Sequence, residues 1–171
     1  MTSDGSRLAI GYADGRVDLR YLPGGNRQTV WQAHHFPASA LAFSPNGKLL
    51  ASSGWDRTAK IWDANSAQLQ RMIEGSLLPI VSLAFSPDGS RLAAGTGEGV
   101  VKLYEVQTAQ EVATFKGHGQ AVYGVAFVPD GTKLISASFD ALCVWRAPEL
   151  RELKDVEARL EAMLARVKET R

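Results

Sequence analysis

One cysteine in 171 residues, Cys143, leaves the chain without an intrachain disulfide or a cysteine-built zinc site. It sits in the apolar run from Ala141 to Val144 and reads as a small buried residue rather than a reactive thiol. Excess charge is missing too. Nineteen Lys and Arg stand against 18 Asp and Glu, a formal net charge of +1, and the basic residues are spread along the chain. A dedicated nucleic-acid binder would gather them on one face or stretch. No apolar run approaches the roughly 18 residues of a membrane span. The opening Met-Thr-Ser-Asp-Gly-Ser-Arg lacks the basic-then-apolar order of a signal peptide. These absences point to a soluble, cytoplasmic chain with neither nucleic acid nor membrane as its partner.

Catalytic signatures are equally scarce. There is no Gly-x-Ser-x-Gly and no His-Glu-x-x-His. Gly95-Thr96-Gly97-Glu98-Gly99 has the glycines of a phosphate-binding loop, but no Lys-Ser or Lys-Thr follows. Asp14, Asp56 and Asp140 recur because turns need them, so reading them as an acid–base pair would confuse punctuation with catalysis. We expect no enzyme, no metal and no cofactor.

What the sequence does have is a period. Asp4-Gly5, Asn46-Gly47, Asp88-Gly89 and Asp130-Gly131 each fall 42 residues apart. The same register superposes Phe43, Phe85 and Phe127, and also Asp14, Asp56, Glu98 and Asp140. A fixed period of this length marks a repeat architecture and points first to a binding surface. In the second repeat, Ala38–Phe43 is a short apolar run, and Ser44-Pro45-Asn46-Gly47 is a turn. Runs at 49–53, 59–62 and 69–73 follow, each closed by turn residues. The third repeat repeats this at 80–85, 92–96, 100–106 and 111–115, and the fourth at 122–127, 134–138 and 142–145. Short strands at such spacing read as antiparallel all-β, and four strands per repeat make a propeller blade.

Two segments carry a family resemblance. His34…Ser52…Trp55-Asp56…Ile61-Trp62-Asp63 and Gly117-His118…Ser136…Phe139-Asp140…Val144-Trp145 resemble WD40 repeats, as does the turn Ser86-Pro87-Asp88-Gly89. The resemblance spans about residues 1–146. It implies a segment of about four propeller blades: 1–31 (partial), 32–73, 74–115 and 116–146 (lacking its outer strand). It implies a structural hydrogen-bonded tetrad of His34, Ser52, Asp56 and Trp62, and a second of His118, Ser136, Asp140 and Trp145. The third repeat has Ser76, Ala94, Glu98 and Tyr104 at those positions and is expected to rest on packing. The first keeps Asp14 but has Arg20 in place of Trp.

The resemblance also implies a non-catalytic protein-interaction scaffold with a protein or peptide partner. Its contacts would lie on the top face at Pro37, Ser39 and Trp55; Pro79, Val81 and Gly97; and Ala121, Tyr123 and Phe139. The aromatics Trp55, Tyr123 and Phe139 are the expected anchors. Two alternatives stand beside this reading: a regulatory or targeting module of a larger multidomain enzyme, and a half-propeller completing an eight-bladed ring as a homodimer. On the scaffold reading the chain is the last four repeats of a larger ring, completed by missing repeats. Beyond Trp145 the period lengthens. Leu153, Val156, Leu160, Met163 and Val167 take a and d positions, predicting an amphipathic helix or coiled coil over 147–171.

Overall fold

The computed structural model describes residues 1–146, and these fold into four antiparallel sheets. The helix predicted over 147–171 lies outside the described residues. The first sheet orders β1 (Arg7–Gly11), β2 (Arg16–Tyr21) and β3 (Arg27–Gln32). The second holds β4 (Ala38–Phe43), β5 (Leu49–Gly54), β6 (Ala59–Asp63) and β7 (Leu69–Ile73). The third holds β8 (Ile80–Phe85), β9 (Arg91–Thr96), β10 (Val100–Glu105) and β11 (Glu111–Lys116). The fourth comprises β12 (Gly124–Phe127), β13 (Lys133–Ala137) and β14 (Leu142–Arg146). Among these residues no helix is long and apolar enough to cross a membrane.

Each sheet is a meander because its turns are locally determined. In the turn after β4, the Asn46 side chain accepts the Lys48 N–H at 3.0 Å, and the Ser44 hydroxyl accepts the Leu49 N–H at 2.9 Å. Asp4, Asp88 and Asp130 accept the N–H two residues on in the same way, at 3.0, 3.0 and 2.8 Å. A short side chain that satisfies its own turn backbone is why Asn or Asp recurs there.

The strands alternate, and both faces of the middle sheets are buried. On β5, Leu50 joins Val17, Leu19 and Trp62 between the first and second sheets. Its neighbour Ala51 joins Ile61, Ile73, Ile80 and Leu92 between the second and third. On β9, Leu92 faces back in this way while Ala93 joins Val101, Leu103, Val122 and Leu134 ahead of it. The inner strands are also tied across sheets: the Ser39 hydroxyl donates to the Ile80 carbonyl at 2.6 Å, and Ser82 to Val122 at 2.7 Å.

One strand differs from expectation. β12 begins at Gly124 rather than Val122. Val122 is fully buried, and its N–H donates to the Thr96 carbonyl of the third sheet at 3.1 Å, so its backbone serves the neighbouring sheet.

The side chain most enclosed between the two four-stranded sheets tests whether stability resides there. Leu92→Ala is expected to destabilise the protein by about 2–5 kcal/mol, through lost burial and the cavity left behind. The check is the urea midpoint of unfolding; a shift worth less than 1 kcal/mol would mean that the sheets do not depend on this contact.

Candidate interaction face

At one end of each sheet, the loop entering the inner strand meets the turn between the next two strands. In the second sheet this meeting is a directed chain of hydrogen bonds. The Trp62 indole N–H donates to the Ser52 hydroxyl oxygen at 2.8 Å. Ser52 lies 2.7 Å from His34 Nε2, and His34 Nδ1 lies 3.0 Å from both oxygens of Asp56. An indole can only donate, so the Ser52 proton is free to go to Nε2, which leaves Nδ1–H to donate to Asp56. A neutral ring in this tautomer satisfies every member, and a second ring proton would leave the Ser52 hydroxyl with no acceptor. Gly54 makes room for the ring: a Cβ there would stand 2.7 Å from it.

Charge follows from this geometry. Burial pushes the His34 imidazole below its ordinary 6.5, outweighing the nearby Asp56 carboxylate. At Asp56 burial acts upward, but the Thr58 hydroxyl at 2.8 Å and the His34 ring leave the carboxyl below its ordinary value.

The fourth sheet brings its equivalents together differently. His118 Nε2 lies 2.7 Å from the Ser136 hydroxyl, which accepts from the Trp145 indole at 2.9 Å. Asp140, however, is 3.8 Å from His118 Nδ1, and the Ser138 hydroxyl stands between them, 3.1 Å from the ring and bonded to the carboxylate. The stretch from Asp140 to Trp145 is one residue shorter than that from Asp56 to Trp62, and the carboxylate turns instead to the Gly119 N–H at 2.6 Å.

The third sheet corrects the expectation that packing alone would hold it. Glu98 Oε1 accepts from the N–H groups of Leu77 and Leu78, at 2.5 and 2.9 Å, and from Ser76 at 3.1 Å. The extra methylene of Glu reaches the loop backbone where a histidine is lacking. Tyr104, at the position of Trp62, has a buried hydroxyl with no hydrogen-bond partner among the described residues, and burial pushes its phenol up. In the first sheet Arg20 pairs with fully buried Asp18 at 2.9 Å, while Asp14 pairs with Arg16 at 2.7 Å.

These ties hold the loop and turn backbones at one end of the sheets, and several large apolar side chains there point to solvent. Trp55 is 60% exposed, Tyr123 56% and Phe139 81%. The Tyr123 and Phe139 rings pack against each other with centroids 4.9 Å apart. Pro37, Ser39, Pro79, Val81 and Ala121 are half-buried. The Pro37 and Pro79 carbonyls are engaged by the N–H groups of Trp55 and Gly97, at 3.0 and 2.8 Å, and Ser39 is committed to Ile80.

Sequence reasoning missed Phe36, Leu77 and Leu78, which are all exposed beside them. The available signal was an apolar pair inside a turn-rich stretch, Gly75-Ser76-Leu77-Leu78-Pro79, with no strand period to account for it. Among the described residues no cluster of three or more His, Cys, Asp or Glu is arranged to hold a metal.

Comparison with known proteins agrees with this architecture. The family model of the WD domain, G-beta repeat, matches residues 25–63, 67–105 and 109–145, and the chain belongs to that WD40 family. Each matched repeat begins on the last strand of one sheet and ends on the third strand of the next, so every repeat stitches two sheets together. The first 24 residues, with β1 and β2, fall outside the matches and join the array by register.

The chain is 39% identical over 80 residues to a WD repeat-containing protein of Synechocystis sp., covering 46% of this chain and 23% of that one. It is 39% identical over 67 residues to a WD repeat-containing protein of Schistosoma mansoni, covering 39% and 22%. It is 34% identical over 61 residues to the mitotic checkpoint protein bub-3 of Caenorhabditis elegans, covering 36% and 18%. The aligned stretch is thus under a quarter of each relative's length.

The hydrogen-bond chain yields two predictions. Asp56→Ala strands the His34 Nδ1–H and the loop, and a loss of about 1–3 kcal/mol in chemical denaturation is expected. Unchanged stability would show that the network carries no load.

The second concerns pH. As pH falls through 6.5 the unfolded His34 ring takes up a proton while the folded ring resists. Stability contributed by the neutral ring is therefore full above that value and declines below it. Denaturation midpoints between pH 7.5 and 5 should fall in the native protein and fall less steeply in His34→Gln; equal slopes would contradict the assignment.

Proposed function

We propose that this chain is a non-catalytic protein-interaction module whose partner, a protein or an exposed peptide segment, docks on the loop-bearing end of the sheets. The observation that carries this reading is the exposure of Trp55, Leu77, Tyr123 and Phe139 on loop and turn backbones joined by hydrogen bonds. A soluble protein gains nothing in folding from such side chains in water, and aromatic residues on rigid supports are what interface hot spots are made of. The pinned backbone matters as much as the rings. Loops already ordered lose little entropy on binding, so more of the apolar burial appears as affinity.

The homodimer reading turns on the two end faces, which differ in chemistry. On the side of β14 away from the third sheet, Leu142 and Val144 are exposed. On the side of β2 away from the second sheet, Asp18 is paired with Arg20 and Arg27. The same side of the first sheet also carries Leu8, Ile10 and Val30, so it is a mixed apolar and charged surface.

The interaction face is tested by selecting displayed peptides on the immobilised protein and measuring the affinity of synthetic copies. Trp55→Ala or Phe139→Ala is expected to weaken binding by about 2 kcal/mol with little change in thermal stability. Met72→Ala removes an apolar side chain, 46% exposed, on the outer strand β7 rather than on the loops, and is expected to change nothing. Equal losses at Met72 and Trp55 would mean adhesion to any apolar surface, and equal losses of stability and binding would mean that the aromatics are packing residues.

A further inference from the structure

The turn Gly54-Trp55-Asp56-Arg57 is closed by the Arg57 N–H donating to the Gly54 carbonyl at 3.1 Å, and Arg57 is the one charged residue among the three non-glycine residues at positive φ, the others being Ala67 and Ala109. Arg57 has φ +65°. Its register equivalents in the first and third sheets are Gly15 and Gly99, at φ +85° and +80°. A Cβ at those glycines would stand 2.1 and 2.7 Å from the carbonyls of His34 and His118 in the next sheet. Left-handed backbone is unfavourable for a residue with a Cβ, and where such a residue persists the reason is often at a binding site. Glycine would serve this turn as it serves the other two.

The guanidinium is also unpaired: no carboxylate among the described residues makes an ion pair with Arg57. Of the acids around this turn, Asp56 is held by His34 and Thr58, and Glu74, exposed just beyond Ile73 of β7, makes no ion pair with Arg57. The nearby Lys60 donates to the Ala33 carbonyl at 2.6 Å. The same turn carries Trp55, and the loop bonded to it through the Trp55 N–H and the Pro37 carbonyl at 3.0 Å carries Phe36, both more than half exposed.

We infer that Arg57 is the specificity element of the interaction face, and that the partner presents an extended segment with an acidic side chain beside an aromatic or aliphatic one. The carboxylate would take the planar guanidinium in a two-point hydrogen bond, and the apolar neighbour would cover Trp55 and Phe36. This inference rests on the reading that the loop-bearing end is the interaction face. A nucleic-acid phosphate is the other anion an arginine could read. It is disfavoured here because strand binding needs several cations along a track, and this corner offers one amid apolar side chains.

The experiment uses the full chain and a random displayed dodecapeptide library, followed by fluorescence anisotropy with the selected peptides made synthetically. Enrichment of Asp or Glu next to Phe, Trp or Leu is expected. Replacing the acid by its amide should weaken binding about tenfold, less so at 0.5 M salt. Arg57→Gly should bind the acid and amide peptides alike while melting at the same or a higher temperature than the native protein, and Arg57→Lys should keep part of the preference.

The inference is overturned if acid and amide peptides bind the native protein equally, if Arg57→Gly keeps the preference, or if no peptide is enriched. Arg57-dependent binding of a labelled oligothymidylate with no acidic peptide selected overturns it in favour of nucleic acid. The two readings fail separately. Selected peptides that lose affinity in Trp55→Ala and Phe139→Ala but show no acid preference would remove Arg57's role and leave the face. Peptides indifferent to both aromatic substitutions would remove the face itself.

Discussion

A carboxylate in the turn between the second and third strands of a blade, accepting hydrogen from the loop that enters the first, is the interaction on which the rest of this structure depends. Asp56 takes the His34 ring and lies 3.4 Å from the His35 N–H, Glu98 takes Leu77 and Leu78, and Asp140 takes Gly119. The carboxyl lengths differ, the partners differ, and only two of the three blades involve a histidine, yet the same two segments are joined each time. Without such a tie, backbone N–H groups at the end of the sheets would be left to water, and the loops would pay their ordering cost with no return.

That tie converts stability into a surface. Asp56, Glu98 and Asp140 are engaged by the entering loops, and aromatic and leucine side chains stand exposed beside them. The same turns that satisfy the buried network carry Trp55 and Phe139 one residue ahead of Asp56 and Asp140. One turn thus carries both a buried tie and an exposed ring: the acid looks in and the aromatic looks out. Arg57, one residue beyond the acid, looks out as well and alone among its equivalents accepts a glycine's backbone geometry to be there.

The family model's placement adds to this. A repeat that starts on the outer strand of one sheet and ends on the third strand of the next makes the covalent chain itself an inter-sheet link. Leu92 and Ala93, adjacent in sequence, serve different cores for the same reason that strands alternate. Each sheet is then a layer held on both sides. The end sheets are the exceptions, one presenting Leu142 and Val144 and the other Asp18 with its arginines.

Strand positions, turn positions and the 42-residue register were legible in the sequence, because they follow from alternation and from side chains that bond to their own turn. Strands at 38–43, 69–73 and 80–85 fell where the apolar runs lay. The family resemblance, not the period, pointed to Trp55, Tyr123 and Phe139 as one set, and all three are exposed. What only the tertiary structure decided depends on distances of an ångström or two between segments some 20 residues apart. It decided that Asp140 would stop 3.8 Å short of His118 while Asp56 reached His34, since a turn shorter by one residue moves the acid. It decided that Glu98 would rebuild the missing tie through backbone, that Val122 would leave its own sheet to bond Thr96, and that Leu77 and Leu78 would face water. Periodicity specifies which residues are equivalent; the packing of neighbouring sheets determines whether equivalent residues make the same bond.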